Sequence, residues 1–313
     1  MTAIKPPRLR KGDVIGLVSP ASTPTPEEKV QGSVRYLEKL GYRVKVGNHV
    51  SKVFGYLAGT DEERAADLNT MIRDPEVKAI FALRGGYGTP RILPEIDYCA
   101  LKRAPKIISG FSDITALQLA LYRKCRLVTF SGPMPAVEFW KDPDPYTEEN
   151  FWRLVTSKAA VGKIENPVGQ EVIVHREGKA SGPLLGGNLA LVLSTLGTPF
   201  MPSLLKAVLV LEEVGEYPYR VDRLFAHLRN AGVLKNVAAM LLGQFTECEP
   251  RDPKQPHLTT EQILSEYAQM IKGPTLGNLT YGHVPRKLTI PFGLRATVDT
   301  KKRCIEVREG AVV

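Results

Sequence analysis

Over the first 130 residues, short apolar runs alternate with stretches in which apolar positions recur every three or four residues. Residues 13–18 predict a strand ending in SPAST, 26–40 a helix, 42–46 a second short strand and 62–72 a helix. Residues 77–83 form an apolar run that enters the loop RGGYG. The pattern changes most sharply in KIISGFSDITALQLALY, residues 106–122. Ile107, Ile108 and Ser109 lead as a buried strand into Gly110, and Ile114, Leu117 and Leu121 then recur at helical spacing, so the period switches around Ser112. A strand at 128–130 follows, before SGP. Repeated strand–helix units predict a parallel sheet with helices on both faces, and ligands of such sheets bind beyond the carboxyl ends of the strands. SPAS, RGGYG, GFSD and SGP all fall at those ends.

Residues 139–179 are more polar and rich in proline, and read as a helix plus an interdomain connection. Beyond them lie a glycine-rich turn into a helix (GPLLGGNLALVLSTLG), a strand at 207–211 ending in EEVGEYPYR, and a strand at 238–243 ending in QFTE. A helix at about 260–271, the segment GNLTYGHVPRKLTIPFG and a β-rich tail complete the chain. With 313 residues, two domains are expected: 1–165, a linker at 166–180, and a smaller α/β unit at 181–313.

Composition narrows the field. Hydrophobic residues at 43% and charged residues at 24% are ordinary for a globular chain and argue against disorder. The net charge of +9 would suit anionic ligands, yet it is dispersed, with no aromatic-interleaved basic stripe, which argues against nucleic acid as a partner. Cys99, Cys125, Cys248 and Cys304 are far apart with no CxxC pair, so neither a zinc site nor a disulfide framework is expected, and no metal or other cofactor is called for. The amino-terminal apolar run is broken by Asp13 and Gly16, so no export signal or membrane span is expected and a cytoplasmic location follows.

Ser112, at a strand-to-helix turn, has the placement of an exposed nucleophile, with the N–H of Asp113 free to face an oxyanion. The plainer reading is that Ser112 or Asp113 caps the helix. A serine needs a base. Of His49, His175, His227, His257 and His283, the last stands apart because Gly282 and Pro285 bracket it on a constrained turn. Glu212 and Glu213 end the run AVLVLEE, where a carboxylate can orient a histidine or simply meet solvent. The adjacent glycines of RGGYG match neither a dinucleotide fingerprint nor a P-loop, but allow close backbone approach to an oxyanion or a phosphate.

RGGYG, GFSD, GGNLALVLSTLGTPFMP, LVLEEVGEYPYRVDRLFAHLRNAG and GH before the PFG strand occur in that order over nearly the whole chain. Together they resemble the bacterial LD-carboxypeptidase family of serine peptidases, whose relatives include microcin C immunity peptidases. The resemblance implies a flavodoxin-like (glutamine-amidotransferase-like) parallel-sheet domain followed by a smaller C-terminal α/β swivelling domain. It implies Ser112 as nucleophile, Glu212 and His283 as its partners from the second domain, and an oxyanion hole of the Gly86 and Asp113 N–H groups. Glu213 stands where an aspartate is common, which leaves the choice between Glu212 and Glu213 open. The implied reaction is release of a terminal D-amino acid from a murein tetrapeptide during cell-wall recycling, with homodimers frequent in the family. Two alternatives stand beside it. One is a peptidase acting on peptidyl-adenylates, which would need an aromatic for the base, although Trp140 and Trp152 fall in no evident specificity loop. The other is a two-lobed binding protein without catalysis.

Overall fold

The structure, a computed structural model, describes residues 3–252 and 254–313. Strands β1 (Val14–Val18), β2 (Arg43–Val46), β3 (Val77–Ala82), β4 (Ile107–Gly110) and β5 (Thr129–Ser131) pair in parallel in the order β5-β4-β3-β1-β2. The central strands are buried along almost their whole length, as expected when helices cover both faces of a sheet. Those helices include α1 (Glu28–Lys39), α2 (Asp61–Arg73), α3 (Thr89–Ile92), α4 (Tyr98–Arg103) and α5 (Thr115–Cys125). Helix α2 starts with a reciprocal capping box in which Glu63 N donates to Thr60 Oγ1 and Thr60 N donates to Glu63 Oε2.

After α6 (Pro145–Thr156) the chain builds a second sheet from β6 (Gly162–Ile164), β7 (Ile173–Arg176), β8 (Lys179–Asn188), β9 (Val208–Val214), β10 (Ala239–Thr246) and β11 (Thr275–Gly277). Helices α7 (Leu189–Thr195), α8 (Pro218–Asn230) and α9 (Thr260–Gln269) intervene. Strand β12 (Ile290–Phe292) returns to the first sheet, antiparallel to β5, before β13 (Arg295–Asp299) and β14 (Cys304–Val307) finish the second. The second sheet has the order β6-β14-β13-β8-β9-β10-β11-β7, parallel from β8 to β11 and antiparallel at both flanks.

The sheets therefore exchange strands in a way that the sequence pattern does not show. Residues 162–164, expected in the first unit, pair with β14, while residues 290–292, expected in the second, pair with β5. The expected connection at 166–180 carries β7 and the start of β8. Alternation of apolar residues reveals a strand but not its partner. One apolar cluster runs through both sheets, joining Phe81 and Phe130 to Leu184, Val210, Tyr281 and Phe292. Between the sheets, Gly187 lies so close to α5 that a Cβ would meet Thr115 Oγ1 at 2.3 Å, and Asn188 N donates to that same hydroxyl at 3.1 Å. A side chain at 187 would drive the second sheet away from the turn that carries Ser112.

Candidate active site

Ser112 follows β4 directly and opens a single turn of 3-10 helix, Ser112–Ile114, that leads into α5. Its φ of +64° lies in the left-handed region, a costly conformation for a residue with a Cβ. The turn is tolerated because its surroundings leave little alternative. Gly85 packs so tightly that a Cβ there would sit 2.9 Å from the Ser112 Cβ, and one on Gly110 would meet Ile114 at the same distance. The plainer expectation that Ser112 or Asp113 caps the helix finds no support, since the turn has no side-chain cap.

Ser112 Oγ lies 3.0 Å from His283 Nε2, and His283 Nδ1 lies 2.7 Å from Glu212 Oε2. Glu212 is on β9 and fully buried, and His283 is on the connection between β11 and β12. Gly282, at φ +126°, permits this approach because a Cβ there would come within 2.9 Å of Glu212 Oε2. The Phe111 ring packs against the imidazole with centroids 4.9 Å apart. A proton on Nδ1 shared with Glu212 leaves the Nε2 lone pair for the serine hydroxyl.

Glu213 does something else. Successive strand residues face opposite sides, and its carboxylate accepts from Asn188 Nδ2 (2.7 Å), Ala190 N (2.8 Å) and Val214 N (2.9 Å). It ties β9 to the start of α7, and burial pushes its pKa up, against those hydrogen bonds.

The RGGYG loop crosses beside Ser112. Among the described residues, no backbone acceptor takes the N–H of Gly86 or of Asp113. Gly86 has φ +110°, and a Cβ on it would meet Ser22 Oγ at 2.3 Å. That serine in turn accepts from Tyr87 N at 3.2 Å and donates to Tyr56 O at 2.6 Å. If the Gly86 N–H meets an oxyanion, as the family resemblance implies, Gly86→Ala is expected to displace the loop and lower kcat by about 100- to 1,000-fold, the usual cost of losing one oxyanion donor. Steady-state kinetics beside a thermal melt would check it, since a fall in Tm with kcat preserved would contradict the role.

Several residues that hold the site carry little signal in the sequence. The Asp113 side chain, fully buried, accepts from Thr89 N at 2.7 Å and so pins the far end of the glycine loop, with burial raising its pKa. Arg64, also buried, donates to Gly88 O at 3.0 Å and to Pro20 O, joining two of the rim loops. Lys287 Nζ donates to Glu138 Oε1 at 2.5 Å and stands 3.7 Å from the Phe111 ring centroid; burial lowers its pKa, against the attraction of Glu138. For Arg64 and Lys287 a charged residue near apolar positions is the sequence signal, and for Asp113 the GFSD motif marks the residue but not the grip of its side chain. The other histidines with side-chain partners are engaged elsewhere: His49 pairs with Asp67 at 2.8 Å, and His175 faces Ser265 at 3.3 Å. Trp152 packs against Tyr42, Phe151 and Phe139, with its Nε1 donating to Tyr36 Oη. Among the described residues no group of three or more His, Cys, Asp or Glu side chains is arranged to hold a metal ion, and no helix is long and apolar enough to cross a membrane.

Known proteins resemble this chain over nearly its whole length. Residues 15–132 match the LD-carboxypeptidase N-terminal domain and residues 181–298 match the LD-carboxypeptidase C-terminal domain. The chain belongs to the LD-carboxypeptidase family. A probable murein peptide carboxypeptidase of Bacillus subtilis is 38% identical over 307 residues, covering 98% of this chain and 95% of the relative. The murein tetrapeptide carboxypeptidase of Pseudomonas aeruginosa is 34% identical over 293 residues, covering 91% and 92%. Among solved structures, the microcin C7 self-immunity protein MccF in complex with aspartyl sulfamoyl adenosine superimposes with a TM-score of 0.91 at 27% identity, over 99% of this chain and 100% of that one. This LD-carboxypeptidase is accordingly a hydrolase of the serine carboxypeptidase kind, with the two-sheet α/β architecture of its relatives.

Proposed function

We propose that Ser112, His283 and Glu212 form a catalytic triad that releases the terminal D-amino acid from a murein tetrapeptide. The observation that carries this reading is the hydrogen-bonded line from the Ser112 hydroxyl through His283 to a fully buried carboxylate. In this reading residues 1–165 supply the nucleophile and residues 181–313 supply the acid and the base. His283 Nε2 takes the hydroxyl proton as Oγ attacks the carbonyl of the L-centre, and Glu212 stabilises the imidazolium that forms. The N–H groups of Gly86 and Asp113, left without backbone acceptors, meet the tetrahedral oxyanion. Collapse of that intermediate breaks the C–N bond as His283 protonates the departing amine. Water, deprotonated by His283, then hydrolyses the acyl-enzyme. A cytoplasmic setting and a homodimer belong to the same reading.

The two named murein peptidases favour this substrate, whereas the MccF complex points to a sulfamoyl adenosine. Against the second stands Trp152, engaged in the aromatic packing of the first half of the chain rather than offered to a base. D-Alanine release from L-Ala-γ-D-Glu-meso-diaminopimelyl-D-Ala, measured beside hydrolysis of aspartyl sulfamoyl adenosine, tests the choice. The tetrapeptide is expected to be the better substrate by at least about 100-fold in kcat/KM, on the order of 3 kcal/mol in transition-state stabilisation. Cleavage of the adenosine compound alone would reverse the assignment.

A further inference from the structure

An enzyme that removes only a terminal residue must distinguish a chain end from an internal position, and the chemical difference is a free carboxylate. If His283 Nε2 protonates the departing amine, a premise that rests on the function proposed above, the terminal residue of the substrate has to lie on the histidine side of Ser112. His283 itself borders a cavity of about 440 Å³ whose wall also includes Phe111, Glu138, Lys287 and Lys141.

The charges of this wall are mostly spoken for. Lys287 is bound to Glu138, and Asp144, which also borders the cavity, accepts from Arg286 Nε at 3.2 Å. Lys287 is moreover 2% exposed and covered by Phe111. Lys141 is exposed and has no ion-pair partner among the described residues. It follows the irregular turn Pro135–Phe139, and the next residue, Asp142, is held at φ +45°, a left-handed conformation that sets the direction of the chain at this point. A lysine is well suited to such a position, because its ammonium is a compact charge on a flexible stem that can follow a small terminal residue into and out of the site.

We propose that Lys141 receives the terminal carboxylate of the substrate in this cavity and so makes the enzyme selective for chain ends. Asp142, also on the cavity wall, opposes the same carboxylate through its like charge and limits how tightly the product is held.

The test compares the tetrapeptide ending in a free D-alanine carboxylate with its C-terminal carboxamide, using the wild-type chain, Lys141→Met, Lys141→Arg and Asp142→Asn. The wild type is expected to prefer the free acid. Lys141→Met should raise KM for the acid by about 10- to 100-fold, the range for losing one charge-assisted hydrogen bond, with kcat within about 3-fold and the carboxamide unaffected. Lys141→Arg should restore most of the selectivity. Asp142→Asn should lower KM for the acid by about 2- to 5-fold. An unchanged acid KM in Lys141→Met, or an equal loss on both peptides, overturns the proposal. So does a wild-type enzyme that cleaves both peptides alike, and this outcome leaves the proposed reaction standing. A wild type that releases nothing from either peptide overturns the reaction and this inference together.

Discussion

Ser112→Ala is expected to lower kcat for D-alanine release by about four to six orders of magnitude while leaving tetrapeptide affinity within about 3-fold. The size follows from the proposed mechanism. On that proposal no acyl-enzyme forms without Oγ, and what remains is attack by water on a carbonyl held by the N–H groups of Gly86 and Asp113. Binding of uncleaved tetrapeptide by the variant, measured calorimetrically, separates this from a folding defect. A companion variant reports on strain. Because Ser112 sits at φ +64°, replacement by glycine removes the clash between Cβ and backbone. Ser112→Gly should therefore be as inactive as Ser112→Ala yet more stable than it by up to about 1 kcal/mol, as read from chemical denaturation. An active Ser112→Ala would remove the serine from the mechanism altogether.

The adjacent glutamates should separate cleanly. Glu212→Gln is expected to cost about four orders of magnitude in kcat, with KM little changed. An amide at 212 can direct its NH2 toward His283 Nδ1, which moves the ring proton to Nε2 and leaves no lone pair for the serine hydroxyl. Glu213→Gln should retain activity within about 10-fold but lose about 1–3 kcal/mol of stability. Its carboxylate accepts three hydrogen bonds from Asn188, Ala190 and Val214, and an amide replacing it turns one acceptor into a donor facing a backbone N–H. Kinetics and denaturation of the two variants form one comparison. If Glu213→Gln were the catalytically dead protein, the Glu212–His283 contact would have no mechanistic meaning.

This pair also shows where reading the sequence stops. That two carboxylates end an apolar strand is a local fact, visible in AVLVLEE. Which of them meets a histidine is not, because it depends on which face of β9 turns toward a loop about 70 residues further along the chain. Asp113 makes the same point. Its N–H is legible from the turn alone, whereas its side chain grips Thr89 on another loop, and Arg64 reaches that loop from α2.

Local patterning along the chain sets the alternation of strands and helices in the first half, the abrupt change of period at Ser112, the glycines that let loops come close, and hence the family. These features are local: a strand, a turn and a helix are set by neighbours within a few residues. Long-range packing is what makes β6 and β12 cross between the sheets, lets Gly187 bring the second sheet against the turn of Ser112, and turns Glu212 rather than Glu213 toward His283. Those are questions of which surfaces are buried together. The apolar burial that answers them is non-directional and nearly blind to position along the chain, so partners distant in sequence are chosen only when the whole core closes.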